Sequence, residues 1–166
     1  MFEHLNRLSA GKLEEELVRC CASQRWVAEM VMRRPFPDKQ TVLAASEQIW
    51  WSLDEGAWRE AFAAHPRIGD VQSLRDKFNS TRSWANNEQS GTQASSEETL
   101  QRLADGNDEY ESRFGYLFIV CATGKSGDEM LTLLQNRLKN CAADEIRVAA
   151  LEQLKITQLR LQKLGT

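Results

Sequence analysis

The stretch that decides the fold is DEGAWREAFAAHP, residues 54–66, because it contains a complete helix with both of its boundaries. Asp54 is a typical N-cap residue. Apolar side chains then recur with helical spacing: Trp58, Ala61 and Phe62. Pro66 disfavours a helical backbone for the residue before it and has no backbone N–H to donate. We therefore predict that the helix ends here and leaves the imidazole of His65 at its C-terminal end, where the helix dipole favours a protonated ring.

Apolar residues recur with helical spacing on both sides of this stretch, and they predict three helices before it and several after residue 95. Residues that can open a helix stand at most of the expected starts: Ser23, Asp38, Ser95 with Glu98 in capping-box spacing, Ser126 and, near the last start, Asp144. The helix from residue 95 is expected to be interrupted at 105–107. The segment 116–121 fits either a buried helix or a buried strand.

Residues 66–95 have a different composition, rich in Gly, Asn and Ser, with brief helical pieces such as 71–78. Phe78 and Trp84 favour an ordered loop here, because disordered linkers seldom retain large aromatic side chains. The sequence predicts an all-α fold: a single compact bundle of about seven to eight helices with one long polar loop region at about 66–95. Residues 1–166 are expected to form one domain.

The composition, with 42% hydrophobic and 27% charged residues among 166, is typical of a soluble globular domain. A net charge of −3 argues against a nucleic-acid partner, and no apolar run approaches the length that spans a bilayer. The first residues show no secretory signal, so we expect a cytoplasmic protein. The four cysteines lack the spacing of a metal site or a disulfide framework and are predicted to be free, mostly buried thiols.

The common nucleotide, hydrolase and zinc motifs do not occur in this sequence. The segment nearest to a phosphate loop is Thr123-Gly124-Lys125-Ser126-Gly127, which lacks the upstream glycine of a Walker loop. We interpret it as a turn followed by an N-cap, with an anion site as the alternative.

The remaining candidates for chemistry are His65, Glu88 and Gln89. The chain has two histidines, and the other, His4, lies close to the N-terminus, so a histidine-based site must be built around His65. An imidazole titrates near neutrality, and a neighbouring carboxylate can raise its pKa and fix its tautomer, which suits proton transfer. The alternative is structural: a His-Pro pair often only ends a helix, and Glu-Gln in a polar loop is normally solvated.

Arginine and tryptophan side chains offer further candidates. Arg160 is expected at the surface of the last helix, where its guanidinium group could bind a carboxylate through two parallel hydrogen bonds. The five tryptophans are expected mainly in the core, with Trp26 and Trp84 as candidates for recognition. An alternative function is a non-enzymatic helical module that binds a partner through exposed aromatics such as Trp50, Trp51 and Trp84.

Several segments carry a resemblance to a known family. In chain order they are Trp26-Val27-Ala28 with Arg34-Pro35-Phe36, His65-Pro66-Arg67-Ile68-Gly69, Glu88-Gln89-Ser90-Gly91, Tyr110 with Phe114-Gly115-Tyr116-Leu117-Phe118-Ile119-Val120-Cys121-Ala122, and Arg137-Leu138 with Ile156-Thr157-Gln158-Leu159-Arg160-Leu161. In this order the chain resembles the 2-oxo-4-hydroxy-4-carboxy-5-ureidoimidazoline (OHCU) decarboxylase family of urate degradation. The resemblance implies an all-helical homodimeric enzyme that converts OHCU to S-allantoin without a metal or other cofactor, because the ring imine of the substrate can accept the released electrons.

The same resemblance implies roles for individual residues. His65 would be the principal proton-transfer and hydrogen-bonding group, and Glu88 its acid/base partner. Substrate binding is implied for Pro66 in the pocket wall, for Ala85, Asn86, Asn87 and Gln89 in a binding loop, for Phe118, Ile119, Val120, Cys121 and Ala122 through backbone amides, and for Arg160. Many members of the family carry a serine where this chain has Ala85, so a hydroxyl contact is missing or is supplied by Ser83 or Asn87. An enzyme that acts on another ureide is therefore a further alternative.

Overall fold

A computed structural model describes residues 2–67, 71–76 and 96–165. Within these residues every regular element is a helix and none is a strand, so the all-α prediction is confirmed. The helices are α1 (Glu3–Arg7), α2 (Ala10–Cys20), α3 (Gln24–Met32), α4 (Lys39–Ser52), α5 (Glu55–Ala63), α6 (71–76), α7 (Glu97–Phe114), α8 (Gly127–Arg137) and α9 (Ala142–Leu164). Most of the predicted polar loop lies outside the described residues. None of the described helices is long and apolar enough to cross a bilayer.

The chain divides into two compact units, Met1–His65 with Ile146–Thr166 and Pro66–Glu145. The first unit is built on buried tryptophans whose indole N–H groups all find backbone acceptors. Trp26 donates to the Ser46 carbonyl at 3.2 Å, Trp50 to the Ala150 carbonyl at 2.9 Å, and Trp58 to the Trp50 carbonyl at 3.0 Å. Burying these indoles costs little because each N–H is satisfied. Trp26 is therefore a core residue and not a recognition surface, whereas Trp51 is 38% exposed.

Two of the predicted helix starts in this unit are confirmed by their side-chain caps. The Asp38 carboxylate accepts from the Thr41 amide at 2.7 Å, and the Asp54 carboxylate accepts from the Ala57 amide at 2.9 Å. Ser23 does precede α3, but the prediction that its hydroxyl caps the helix is wrong, because that hydroxyl is buried without a hydrogen bond. The carboxylate of Glu60, from α5, accepts from the Gln24 amide at 3.1 Å and so supplies the negative group at the start of α3.

The N-terminal residues form a short helix that the sequence analysis did not predict. Leu5 of α1 and the preceding Phe2 are buried. The Asn6 side chain donates to the Phe36 carbonyl at 2.8 Å and accepts from the Phe36 amide at 2.8 Å. A Cβ atom on Gly165 would overlap the ring of Phe2, so the glycine permits this packing at the other end of the chain. These contacts tie down a segment that would otherwise fray.

In the second unit α7 packs against α8. The predicted interruption at 105–107 is wrong, because α7 is continuous through Gly106. A Cβ atom at that position would lie 2.6 Å from Cδ2 of Leu134 in α8, so the glycine serves close helix packing and does not break the helix. The N-cap of α7 is Ser96, which accepts from the Thr99 amide at 3.1 Å, and not Ser95 as predicted.

The segment that follows α7 differs from both predictions made for residues 116–121. Gly115 adopts a left-handed conformation (φ 80°) and its amide donates to the Glu111 carbonyl, as expected of a helix C-terminus. Residues 116–122 beyond it are neither helix nor strand, so both alternatives for 116–121 are wrong. The predicted N-cap Ser126 of α8 is confirmed, since its hydroxyl accepts from the Glu129 amide at 3.2 Å. The last helix begins at Ala142, two residues before the predicted start.

Candidate active site

His65 lies directly beyond α5, as the sequence predicts. The helix ends at Ala63, and the His65 amide donates to the Phe62 carbonyl at 3.2 Å. The side chain is half-buried. Its ring nitrogen Nε2 is 2.6 Å from Oε1 of Gln153, 88 positions further along the chain. The imidazole is therefore held by a side chain of α9 that the sequence analysis did not single out.

Gln153 belongs to a buried polar array within the first unit, together with Thr157. Each of these side chains is 1% exposed. The Gln153 side-chain NH2 donates to the Thr157 hydroxyl oxygen at 3.2 Å, and that hydroxyl donates to the Gln153 backbone carbonyl at 3.0 Å. The signal that could have found the array is a glutamine and a threonine four residues apart among apolar positions of one helix.

The two thiols beside this array are buried and have raised pKa values. Burial raises the pKa of Cys20 to about 12 and that of Cys21 to about 11. The Ser23 backbone and the Thr157 side chain offset only part of this rise in the pKa of Cys21. The prediction of free, mostly buried thiols is confirmed, with Cys141 as the exposed one. Neither Cys20 nor Cys21 supplies a thiolate nucleophile near neutral pH.

Arg160 lies on the same helix and on the same side as this array. Its guanidinium group donates to the carbonyls of Arg19 at 3.3 Å and Cys20 at 3.4 Å, at the C-terminal end of α2. Gln153, Thr157 and Arg160 follow the i, i+4, i+7 spacing of one helix face, and Gln153 and Arg160 are separated by about 10 Å along the axis. The exposed Arg160 and the half-buried His65 are thus both attached to one face of α9.

In the second unit, the predicted binding segment 118–122 is held by a buried cluster of charged and polar side chains. Arg137 donates to the Ile119 carbonyl at 2.6 Å, and its guanidinium carbon lies 4.5 Å from the centre of the Phe118 ring. The Lys125 side chain donates to the Cys121 carbonyl at 2.7 Å. An irregular buried segment needs such partners because it has no helix or sheet to satisfy its carbonyls.

Arg137 is fixed in turn by Glu145, which is 0% exposed. The Arg137 Nε atom donates to a Glu145 carboxylate oxygen at 2.7 Å, the Tyr110 hydroxyl donates to the same oxygen, and Asn140 donates to the other at 2.9 Å. Burial raises the pKa of Tyr110 well above its usual range, so its hydroxyl remains a donor. The burial of Glu145 was not predicted, and the available signal was the presence of Arg137 and Glu145 among the apolar residues of two consecutive helices.

The remaining site candidates from the sequence are exposed, lie in a turn, or fall outside the described residues. Pro66 is exposed, and the Arg67 side chain that follows it pairs with Asp108 at 3.3 Å and Glu111 at 3.1 Å on α7. The segment 123–127 forms a turn and the N-cap of α8, as predicted, with Gly124 at φ 75°. The predicted residues Ala85, Asn86, Asn87, Glu88 and Gln89, and also Trp84, lie outside the described residues.

The fold and the site together define an all-helical protein with a half-buried histidine that is suited to acid–base chemistry. The chain belongs to the OHCU decarboxylase family, whose sequence model matches residues 6–162. This membership supports the prediction of a decarboxylase over the non-enzymatic interaction module.

Individual relatives agree with this assignment. The chain is 35% identical over 152 residues to the uric acid degradation bifunctional protein TTL of Arabidopsis thaliana, covering 91% of this chain and 47% of that protein. It therefore spans about half the length of the Arabidopsis relative. It is 26% identical over 160 residues to an OHCU decarboxylase of Haloferax volcanii, covering 96% and 92% of the two chains. A crystal structure of OHCU decarboxylase in the presence of (S)-allantoin superposes with a TM-score of 0.73 at 34% identity, covering 90% of this chain and 96% of that one.

Proposed function

We propose that this protein catalyses the cofactor-independent decarboxylation of OHCU to S-allantoin in urate degradation. The observation that carries the proposal is the half-buried His65, held at the end of α5 by Gln153 in a chain that belongs to the OHCU decarboxylase family. A positioned imidazole can move a proton near neutral pH.

The chemistry requires one bond to break and one proton to be placed. The bond between the ring carbon and the carboxylate breaks, carbon dioxide leaves, and the electron pair moves into the adjacent ring imine of the substrate. The imine nitrogen takes up a proton, the 4-hydroxyl group loses its proton as it becomes a ring carbonyl, and a proton adds to the ureido-bearing carbon on one face of the ring, which fixes the configuration of the product. His65 is the principal proton-transfer and hydrogen-bonding group, with Glu88 as its acid/base partner. The protein otherwise binds and orients the substrate.

Substrate contacts follow from the same proposal. Gln89 holds ureido or ring amide groups, together with the binding-loop residues Ala85, Asn86 and Asn87. Pro66 lines the pocket, and the backbone amides of 118–122 contact the ring. Support for the last role is that Arg137 and Lys125 hold carbonyls of this segment from inside the second unit. Arg160 binds the carboxylate or a ring oxygen with its guanidinium fork.

The direct test follows the optical activity of allantoin formed when purified protein is mixed with freshly generated OHCU. We expect rapid formation of the S enantiomer. His65→Ala and Glu88→Gln are each expected to lower turnover by at least about a hundredfold. The matched control is His4→Ala, which removes the other, exposed histidine and leaves turnover unchanged. Racemic product, or a rate equal to the spontaneous one, sinks the proposal, and rapid turnover of the upstream precursor instead identifies an enzyme for another ureide.

Arg160→Lys separates binding from chemistry. Lysine keeps the charge but cannot form two parallel hydrogen bonds, so we expect KM to rise about tenfold with kcat little changed. Arg147→Lys, at another exposed arginine of α9, is the control and should alter neither constant. An unchanged KM in Arg160→Lys removes Arg160 from the site.

We further propose a single-domain, homodimeric protein of the cytoplasm. The homodimer rests on the resemblance to the family, and the single domain rests on the length of the chain and on the family match over residues 6–162. The cytoplasm is supported by the free thiols of Cys20, Cys21 and Cys121, which suit a reducing compartment. Light scattering during gel filtration should give twice the mass of one chain, and cell fractionation should place the protein in the cytosolic fraction. A monomer or a membrane-associated fraction would contradict the respective proposal.

A further inference from the structure

We propose that Gln153 fixes His65 in the tautomer that carries its proton on Nε2, and that Thr157 holds the Gln153 amide in the orientation this requires. Gln153 and Thr157 are therefore positioning residues, which act through the imidazole and do not touch the substrate. The inference rests on the proposed catalytic role of His65 and deepens it, because it identifies Nδ1 as the basic nitrogen of the neutral ring.

The direction of the Thr157 hydrogen bond is fixed by its acceptor. The Thr157 hydroxyl lies 3.0 Å from the Gln153 backbone carbonyl, and a carbonyl oxygen can only accept. The hydroxyl hydrogen is therefore used there, and the lone pairs of the hydroxyl oxygen are left for donors.

The orientation of the Gln153 side-chain amide follows from the direction of that bond. The Gln153 side-chain nitrogen is 3.2 Å from the Thr157 hydroxyl oxygen, which has lone pairs to accept from it. The other end of the amide, the acceptor oxygen Oε1, consequently faces the imidazole. The two ends of an amide differ in donor and acceptor character, so the reverse orientation would set the amide oxygen against an oxygen whose hydrogen is already used.

The orientation of the amide determines which ring nitrogen of His65 carries the proton. Oε1 lies 2.6 Å from His65 Nε2, and an amide oxygen cannot donate, so Nε2 must carry the hydrogen. Gln153 and Thr157 are each 1% exposed, so water does not compete for these bonds. A reversed arrangement would leave buried polar atoms without hydrogen-bond partners, which destabilises the folded protein. The neutral imidazole therefore has its basic lone pair on Nδ1.

The test is nitrogen NMR of the 15N-labelled full chain at about pH 8.5, roughly two units above the usual imidazole pKa. His4→Gln leaves His65 as the only histidine, so its ring signals need no further assignment. We expect a protonated Nε2, an unprotonated Nδ1, and an Nε2–H signal that survives exchange with water. A proton on Nδ1, or an Nε2–H that exchanges too fast to detect, overturns the inference.

Two matched pairs of variants test the positioning residues. Gln153→Glu keeps an acceptor oxygen and should retain the protected Nε2–H signal, whereas Gln153→Met has similar length without an acceptor and should lose it. Thr157→Ser keeps the hydroxyl and the signal, whereas Thr157→Val should weaken the signal. Circular dichroism and thermal unfolding establish that each variant is folded. Retention of the signal in Gln153→Met contradicts the assignment of Gln153.

Kinetics connects the tautomer to the proposed reaction. In Gln153→Met we expect kcat for OHCU to fall about 10- to 100-fold with KM nearly unchanged, and Gln153→Glu should recover much of the loss. The two proposals fail separately: a protein with the protected signal but no OHCU turnover loses the proposed function, and an active protein without the signal loses only this inference. A merely structural role for Gln153 would move the unfolding temperature but leave the NMR signature and kcat unchanged.

Discussion

The two units bury polar side chains of different kinds. In the first, the Gln153 amide and the Thr157 hydroxyl form a neutral array that orients one imidazole. In the second, Arg137 and Glu145 form a charged pair that holds the carbonyl of an irregular backbone segment. A neutral array can set a tautomer without placing a full charge beside the ring, whereas a long guanidinium group can satisfy several acceptors at once. The neutral array is thus suited to orienting an imidazole, and the charged pair is suited to binding several acceptors at once.

The largest expected effect comes from breaking the charged array. Arg137→Met leaves the Glu145 carboxylate buried without its cation and is expected to lower the free energy of unfolding by about 3–5 kcal/mol. The double variant Arg137→Met with Glu145→Gln removes both charges and should recover part of the loss. Urea unfolding measures both. Equal free energies of unfolding for the single and double variants would mean that a charged Glu145 carboxylate without Arg137 does not destabilise the protein.

A smaller effect on stability is expected from alanine at two helical glycines, one closely packed in the second unit and one with open space around it in the first. Gly106→Ala places a Cβ atom against Leu134 in the second unit, and we expect a net loss of about 1 kcal/mol after the gain in helix propensity. Gly11→Ala is the matched control in the first unit, where a Cβ atom meets nothing within 4 Å. It should stabilise the protein by about 0.5–1 kcal/mol. If both alanines stabilise equally in urea, the close contact between α7 and α8 imposes no steric limit.

The smallest effect compares an exposed charged pair with the buried one. The Ala57 amide and then the Arg25 guanidinium, 2.6 Å away, lower the pKa of Asp54. Because the folded pKa lies below the unfolded one, the stabilisation is present near neutral pH and is lost as the pH falls through the folded pKa. Asp54→Asn should lower the unfolding temperature slightly at neutral pH, with a difference that shrinks in acid and in high salt. A difference independent of pH would contradict the role of the charge.

Much of the fold follows from the sequence alone because helix boundaries are local. Asp38, Asp54 and Ser126 cap helices where short-range preferences place them, and α5 ends at Ala63, shortly before Pro66. Two local predictions about helices were wrong because distant residues intervene. The hydroxyl of Ser23 does not cap α3, because a carboxylate from α5 satisfies that helix start, and Gly106 does not interrupt α7, because α8 packs against it. Both depend on residues distant in the chain.

Part of the candidate site could likewise be predicted from the sequence, and part could not. Composition, order of motifs and the two-histidine count identified His65, Glu88 and Arg160 as candidates, because residue types limit the chemistry a chain can perform. Which side chain holds His65 could not be predicted, since Gln153 lies 88 residues away and no local pattern connects it to His65. The anchoring of residue 119 by Arg137 was hidden for the same reason.

The sequence by itself determined the all-helical class, most helix boundaries, the family and the residue types available for proton transfer. These depend on periodicity and on residues within a few positions of one another. Only the tertiary structure decided that a neutral amide orients His65 and that a buried ion pair supports the segment after α7. Hydrogen bonds between buried groups are directional and join residues far apart in the chain, so no local pattern specifies them.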